Sequence, residues 1–285
     1  MSLSNFSENL ALNFLFNTSA VTRPTAWYVQ LHMTDPTDTG TAGTQPTITA
    51  GDYDRKTLGT SGMTTSTAST CSNPAAVSWT ADAAAATYTF THISIWDKSN
   101  NLLIEDCEDV WNESVDADVT VSVVTDAKAG TNSNKFVVAA TAVAGDILAT
   151  EAIPATDIST ATDCRFWIKT SVATAAGDLQ LLLSEAANAA TPAETLNVPA
   201  LVANTWTYVK VALASAAASR DAIISVGLKY AVDIGACDIY IDDIQALLPA
   251  PAGNCLGAGQ LPAPETIAAS QVLTLPIGKI IAALD

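Results

Sequence analysis

A chain of 285 residues that is 49% apolar, only 14% charged and formally −17 holds enough apolar material for one large or two ordinary cores. Twelve Lys and Arg against 29 Asp and Glu cannot build the phosphate-neutralising clusters that nucleic acid requires, and they disfavour anionic membranes in the same way. Val, Ile, Leu and aromatic residues run through the whole length, which excludes disorder.

The first element in chain order is a helix, "SNFSENLALNFLFN". Ser4 or Asn5 can cap it, and Glu8 in its first turns suits the positive end of the helix dipole. Phe6, Leu10 and Phe14 fall on one side, while Leu12, Leu15 and Phe16 widen the apolar face. So greasy a short helix is expected to dock on a sheet or on a neighbouring subunit. Pro24 ends any helix, and "TAWYVQLHMTDP" alternates as a strand with Trp27, Val29, Leu31 and Met33 on one face. A long polar loop, "DPTDTGTAGTQPTITAGDYDRKTLG", leads to a short strand, and Val77–Trp79 and Thr87–Ile95 supply more.

"FTHISIWDKSNNLLIEDCEDVWNES" then reads as a β-hairpin: Phe90, His92 and Ile95 lead to a turn at Lys98–Asn101, and Leu102–Ile104 return. From Val119 the texture changes. "VTVSVV", "NKFVVAA", "CRFWIKTS", "DLQLLLSE", "ETLNVPAL", "TWTYVKVAL", "IISVGLKYAV" and "CDIYIDDIQALL" are eight short strands between turn residues, the pattern of an antiparallel sandwich or jelly roll. The Pro-rich stretch after Leu248 reads as a linker, and "SQVLTLPIGKIIAALD" as one or two closing strands.

The early strands lack closing partners, and the tail offers them. The expected fold is therefore mainly β: a small β-domain with an N-terminal helix, interrupted by an inserted sandwich. Its expected parts are a discontinuous anchoring domain, 1–104 plus 253–285, and an insert, 105–252. The alternative is two domains in tandem with a frayed tail. Cys71, Cys107, Cys164, Cys237 and Cys255 show no CxxC spacing, so neither a zinc ribbon nor a dense disulfide scaffold is expected. Cys107 and Cys255 would flank the neck of the insertion. No basic region precedes the first apolar stretch, so no secretory signal is expected, and no apolar run reaches the roughly 20 residues of a membrane span.

No enzyme is expected. His32 and His92 are the only histidines, no GxSxG, HExxH or P-loop occurs, and adjacent carboxylates such as Asp242 and Asp243 on a strand face opposite ways. Sugar binding needs exposed aromatic platforms. Trp167 and Trp206 alternate as core residues do, which leaves Trp111 and Tyr230 as the freer candidates.

Two resemblances follow from these residues. "FSENLALNFLFN", "TAWYVQLHMTDPTDTGTAGT", "DYDRKTLG", "SNPAAVSW", "FTHISIWD" and the closing "LPAPETIAASQVLTLPIGKIIAALD" resemble small tailed-bacteriophage virion proteins of head-decoration or tail-fibre-like type. That resemblance implies a capsid decoration (cement) protein on the outside of the head. Its partners would be the major capsid protein and its own copies as a homotrimer, with Phe6, Leu10, Phe14 and Phe16 as assembly contacts. The alternative it leaves open is a tail-fibre or receptor-binding protein whose insert recognises host polysaccharide. The insert, through "CEDVWNES", "DAKAGTNSNKFVVA", "RFWIKTS", "NTWTYVKVAL" and "IYIDDIQAL", resembles a carbohydrate-binding-module jelly roll. That likeness implies a structural calcium at Glu108 or Asp109, loop carbonyls near Lys128 and Thr131, and Asp242 or Asp243. Without the metal, the same residues form an acidic cluster.

Overall fold

The computed structural model describes every residue except 19, 47–52, 59–61, 68–69, 82–85, 250–251 and 284–285. Part of the expected polar loop (47–52) and two residues of the expected linker (250–251) lie outside the described residues. In chain order the elements are β1 (Ser2–Leu3), α1 (Asn5–Phe16), β2 (Tyr28–His32), β3 (Lys56–Thr57), β4 (Thr70–Ser72), β5 (Val77–Thr80) and β6 (Tyr88–Trp96). Then come β7 (Asn101–Glu105), β8 (Ser114–Val115), β9 (Val119–Val124), β10 (Ser133–Val138), β11 (Ile147–Thr156), β12 (Asp163–Thr170) and β13 (Leu179–Ser184). The remainder are β14 (Pro192–Asn197), β15 (Thr207–Ala212), β16 (Ile223–Tyr230), β17 (Cys237–Leu247), β18 (Cys255–Ile267), β19 (Val272–Leu275) and β20 (Ile281–Ala283). The chain forms two compact units, residues 1–100 with 250–285, and residues 101–249.

In the first unit a five-stranded sheet runs β1-β18-β6-β2-β3. The expected hairpin is not there. β6 pairs with β18, from Cys255 opposite Trp96 to Ile267 opposite Tyr88, and with β2 on its other side. The segment Leu102–Ile104 instead joins the second unit, as part of β7. β18 is thirteen residues long and carries Pro262 and Pro264, the residues that made this stretch read as a linker. A register shift between Gln260 and Glu265 takes these prolines out of the ladder, where their missing N–H groups would otherwise break it.

The tail closes this unit. β19 pairs with β5 and β20 with β4. Asn73, fully buried, holds the turn between them: its amide donates to the Pro276 carbonyl at 3.0 Å, and its side-chain oxygen accepts from the Ile280 N–H at 2.9 Å. Val29, Leu31, Trp79, Phe90, Ile93 and Leu273 pack the core. Both faces of β2 are covered, so the alternation expected for one solvated face does not hold there.

Ser4 caps α1, its Oγ accepting from the Ser7 N–H at 3.2 Å, with Glu8 in the first turn. The first turn is tied to β18 through Ser4 Oγ on the Cys255 carbonyl at 2.5 Å and Ser7 Oγ on the Leu256 carbonyl at 2.7 Å. Phe6 and Leu10 are half-buried, whereas Phe14 is 74% and Phe16 82% exposed, so within one copy the helix docks by its first half only.

The second unit is a two-sheet antiparallel jelly-roll sandwich, with sheets β15-β12-β17-β10-β9 and β14-β13-β16-β11-β8. All eight strands expected here are present. The sequence did not announce β11, because Pro154 and the run of Ala, Thr and Glu in "ILATEAIPAT" carry no alternation. β17 pairs with β10 over its first half and with β7 over its second, and Asp243, at φ 51°, lies where the two registers meet. The core holds Trp111, Phe136, Phe166, Ile168, Leu181, Leu228 and Ile241. All five cysteines are free thiols; Cys107 and Cys255 are both buried and unbridged.

His32 in the first unit is fully buried. Trp96 Nε1 can only donate, and it donates to Ser94 Oγ at 2.6 Å, while His32 Nε2 shares a hydrogen bond with the same Oγ, also at 2.6 Å. Burial, reinforced by the Arg55 charge, lowers the His32 pKa from 6.5 to about 4. An unfolded His32 protonates near 6.5 and the folded one only near 4, so its contribution is complete above pH 6.5 and is lost as pH falls toward 4. That difference amounts to about 3 kcal/mol. His32→Gln is expected to flatten this acid loss between pH 7 and 4.5, read by hydrogen exchange of the β2 and β6 amides. A variant with the wild-type pH profile would show that the loss has another source.

Candidate functional site

The outer face of the β15-β12-β17-β10-β9 sheet gathers the aromatic residues of this unit that reach its surface. On β12, Phe166 and Ile168 point into the core, so Arg165, Trp167 and Lys169 point out. On β17 the same alternation buries Ile239 and Ile241 and turns Tyr240 outward, and on β15 it buries Val209 and turns Tyr208 outward. Cross-strand register sets Tyr240 opposite both Lys169 and Lys135, and Tyr208 opposite Trp167. Strands stand about 4.8 Å apart, so Trp206, just before β15, forms one alternating row with Lys169, Tyr240 and Lys135 on the next three strands.

The row is held by cation–π contacts and by ion pairs. The Lys169 ammonium lies 3.9 Å from the Tyr240 ring centre and 5.1 Å from that of Trp206, and Lys135 lies 5.5 Å from Tyr240. Asp126 pairs with Lys169 and accepts from Trp206 Nε1 at 2.9 Å, contacts that lower its pKa. Asp238 pairs with Lys135 at 2.7 Å. A second aromatic pair, Trp167 and Tyr208 with ring centres 5.3 Å apart, carries the Lys128 ammonium 4.3 Å above Trp167. Trp206, Tyr208 and Tyr240 are half-buried: fixed in place, with ring surface left for a ligand.

The sugar candidates named from sequence are not on this face. Trp111 is fully buried, edge-on to Phe136 with ring centres 5.4 Å apart. Tyr230 is fully buried too, its hydroxyl donating to the Gly235 carbonyl at 2.8 Å and accepting from the Ile234 N–H at 2.7 Å. Both are core; of the two tryptophans read as core from alternation, Trp167 is buried although it lies on the outer side of the sheet, and Trp206 is half-buried and faces outward. In a strand with apolar side chains on both faces, period two does not say which face is inside. The outer face of the other sheet bears Thr150, Leu182, Ser225 and Gly227, with the short turn Ala187–Ala189 packed on it. A Cβ at Gly227 would lie 3.1 Å from that of Ala189.

Of the four expected calcium residues, two converge. Glu108 Oε1 accepts from the Thr131 N–H at 2.6 Å, and Asp242 Oδ2 accepts from the Lys128 and Ala129 N–H groups at 2.6 and 2.9 Å. Gly130, at φ 58°, lets the loop close on Glu108, since a Cβ there would sit 1.7 Å from Oε1. The loop therefore shows these carboxylates its N–H groups, where carbonyls were expected. Asp243 goes elsewhere, to the Gln245 side chain. Asp109 lies instead with Glu105 and Asp106, their carboxylate oxygens within 4.8 Å of one another. Burial, then the charges of Asp106 and Asp109, raise Glu105 to about 7 although it accepts from the Cys107 N–H. Burial likewise raises Asp242 to about 6, and its Oδ1 is buried with no partner among the described residues. Two carboxylates whose inward oxygens already accept four loop N–H groups, with no loop carbonyl among their described partners, do not fit the oxygen-rich shell that calcium takes.

The fold and face define a two-unit, mainly β protein whose second unit carries a preorganised aromatic and ionic surface. Residues 2–105 match the family described as podophage GP4 fiber I protein gp80, so this segment is similar to phage fibre-type structural proteins. No curated protein matches the chain. Among solved structures, the family 11 carbohydrate-binding module of the cellulosomal cellulase Lic26A-Cel5E of Clostridium thermocellum is 16% identical, with 52% of this chain and 95% of that one covered at a TM-score of 0.37. A family 30 carbohydrate-binding module is 15% identical over 52% and 99%, also at 0.37. The CBM22-1 xylan-binding domain of Paenibacillus barcinonensis Xyn10C is 14% identical over 52% and 99%, at 0.32. At these scores the structural likenesses carry no argument about this chain. Among the described residues no helix is long and apolar enough to cross a membrane.

The core and face assignments separate by stability. Trp111→Ala is expected to cost about 3–5 kcal/mol, as for a large aromatic taken from a packed core, while Trp206→Ala costs about 1 kcal/mol or less. Urea unfolding of the two variants measures this, and equal losses would put Trp206 in the core.

Proposed function

We propose that this protein is a fibre-type structural component of a phage virion, attached through its first unit and displaying its second. The match over residues 2–105 carries this reading, and it favours the tail over the capsid-decoration role on the head. The separable domains would be residues 1–100 with 250–285, and 101–249. The exposed second half of α1, with Leu12, Phe14, Leu15 and Phe16, supports self-assembly or docking on another virion protein, because a helix apolar around most of its circumference is stable only with neighbours. A homotrimer is the assembly we propose. Cryo-electron microscopy of the virion is expected to show the protein at the tail; density over the whole shell at symmetry-related positions would move it to the head as a cement protein bound to the major capsid protein.

For the displayed unit we propose recognition of a host-surface polysaccharide on the Trp206–Lys169–Tyr240–Lys135 row. Pyranose rings stack on aromatic faces, and the flanking Asp126 and Asp238 suit sugar hydroxyls. Trp206→Ala and Tyr240→Ala are each expected to weaken binding to host polysaccharide about tenfold or more while leaving the fold intact, measured by affinity electrophoresis. Wild-type retardation in both variants would remove this face as the site.

A further inference from the structure

Helix α1 has two apolar sides, and its own unit covers part of only one. At 3.6 residues per turn Phe6, Ser7 and Leu10 share a side, the half-buried one that meets β18 through the Ser7 hydroxyl on the Leu256 carbonyl. Leu12, Leu15 and Phe16 form an i, i+3, i+4 stripe on the opposite side, and all three are exposed. Tighter docking of α1 on its own sheet would not cover them, because they lie across the helix axis from it. Beside the start of the helix the same unit leaves an open cavity of about 120 Å³, walled by Trp27, Met63, Ile95 and Leu256. Among the described residues no ionisable side chain lines it. Water in so apolar a space finds too few hydrogen-bond partners, so an apolar group that displaces it gains free energy. Ser7 lies at the cavity wall, and Phe16 follows it by nine residues, about 13 Å along the axis and on the far side of the helix. A phenyl ring cannot reach back that far, so the helix cannot fill the cavity of its own copy.

We propose that this cavity is the socket for Phe16 of a second copy of the chain, with Leu12 and Leu15 of that copy closing over its rim. Two observations favour a copy over another protein. The chain carries both the apolar knob and the apolar hole, and neither can serve the other within one molecule. Charge then permits the contact: copies at −17 repel wherever acidic surfaces meet, but α1 bears no charge from Asn9 to Phe16 and the socket wall bears none either. Area sets the form of the assembly. A buried Phe contributes about 150–250 Å², so one knob with its two leucines falls short of the roughly 800 Å² per partner of a stable two-body interface. Because knob and socket are different patches, the contact is heterologous, and a copy can give its knob to one neighbour and its socket to another. Each copy in a closed ring makes the contact twice. The inference rests on the reading of α1 as an assembly element, and adds where on the neighbour that element binds.

The test uses the full chain, with light scattering on size exclusion reading its assembly state over a range of concentrations. Wild type is expected to self-associate. The knobless variant, Leu12→Gln with Phe16→Gln, changes exposed positions only and is expected to be a folded monomer. Ala282→Phe, which puts a ring into the socket from its wall, is expected to be monomeric too. Met63→Glu sets a charge in the same wall, and carries the test should Ala282→Phe fail to fold. Mixing then decides whether knob meets socket. The knobless variant keeps its socket and the blocked variant keeps its knob, so the two are expected to form a complex together although each alone is monomeric. Folded socket variants that assemble like wild type would overturn the proposal, and so would assembly that persists in the knobless variant. Mixed variants that stay apart would overturn it as well, in favour of α1 packing on the α1 of its neighbour. A wild-type chain that is monomeric at every concentration would overturn the assembly reading itself, and this inference with it.

Discussion

The first unit depends on pairing strands from opposite ends of the chain. β6 leaves this unit at its C-terminal end, and β18 returns beside it after the whole second unit has intervened. Arg55 fastens that junction. Its guanidinium lies 3.7 Å over Trp96, donates to Gln30 at 2.9 Å, and bonds the carbonyls of Lys98 at 2.9 Å and Ala252 at 2.5 Å, the last residues before departure and nearly the first after return. Asp97 adds to this, accepting from the Asn254 N–H at 2.6 Å. Burial pulls the Arg55 pKa down to about 10, which leaves it charged at neutral pH. A buried cation bonded to neutral carbonyls and stacked on an indole is held by several charge-assisted hydrogen bonds, so losing one partner strains the rest. Loop-closure entropy explains the need for such a fastening, since a long excursion must be closed before the sheet can form.

In the second unit the corresponding constraint is β17. One strand pairs with β10, β12 and β7, and it changes partner at Asp242 and Asp243. The bulge there opens the register between β17 and β12, and Asp243 takes a left-handed backbone conformation that an L residue adopts at a cost. It also places the Asp242 carboxylate under the 126–132 loop. The same strand two residues earlier sets Tyr240 between two lysines. Strand pairing, acid pair and aromatic row are therefore not independent features; they share one backbone.

Much of the fold was legible because β-strands advertise themselves by period and by the turn residues between them. All eight strands read from Val119 onward are there, and so is the capped helix at Ser4. What failed has identifiable causes. The hairpin ending at Ile104 was a local inference, and a non-local pairing with β18 outcompeted it. β18 itself was hidden by two prolines that a bulge removes from the ladder, and β11 by a composition with no alternation. Of the candidate site, Glu108 and Asp242 could be named because an acidic start and a final-strand acid are local signals, yet their partners are loop N–H groups that no residue type announces. Trp111, which lies in no strand, and Tyr230, on β16 of the other sheet, were misplaced because neither sits in a run whose alternation shows its side, and Trp206, read as core, lies just before β15 and faces outward. One signal did exist: Lys169 and Arg165 alternate with Phe166 and Ile168 on β12, and two cations flanking Trp167 mark its face as the outer one.

That signal extends across the face. Of the seven basic residues between positions 101 and 249, five (Lys128, Lys135, Arg165, Lys169 and Lys210) stand on this sheet's outer side; the others are Arg220 and Lys229. In an acidic chain such a gathering does not make a cationic patch, because Asp126, Asp238 and Asp163 pair with Lys169, Lys135 and Lys210. What the pairs provide is fixed geometry. Lys169 is only 9% exposed, its ammonium confined between two rings and a carboxylate, so the rotamer entropy a lysine would lose on binding is already lost. The rings beside it are locked by the same contacts. A surface whose side chains are ordered before the ligand arrives keeps more of its contact energy as affinity, which is the advantage a displayed recognition face has over a flexible one of equal area.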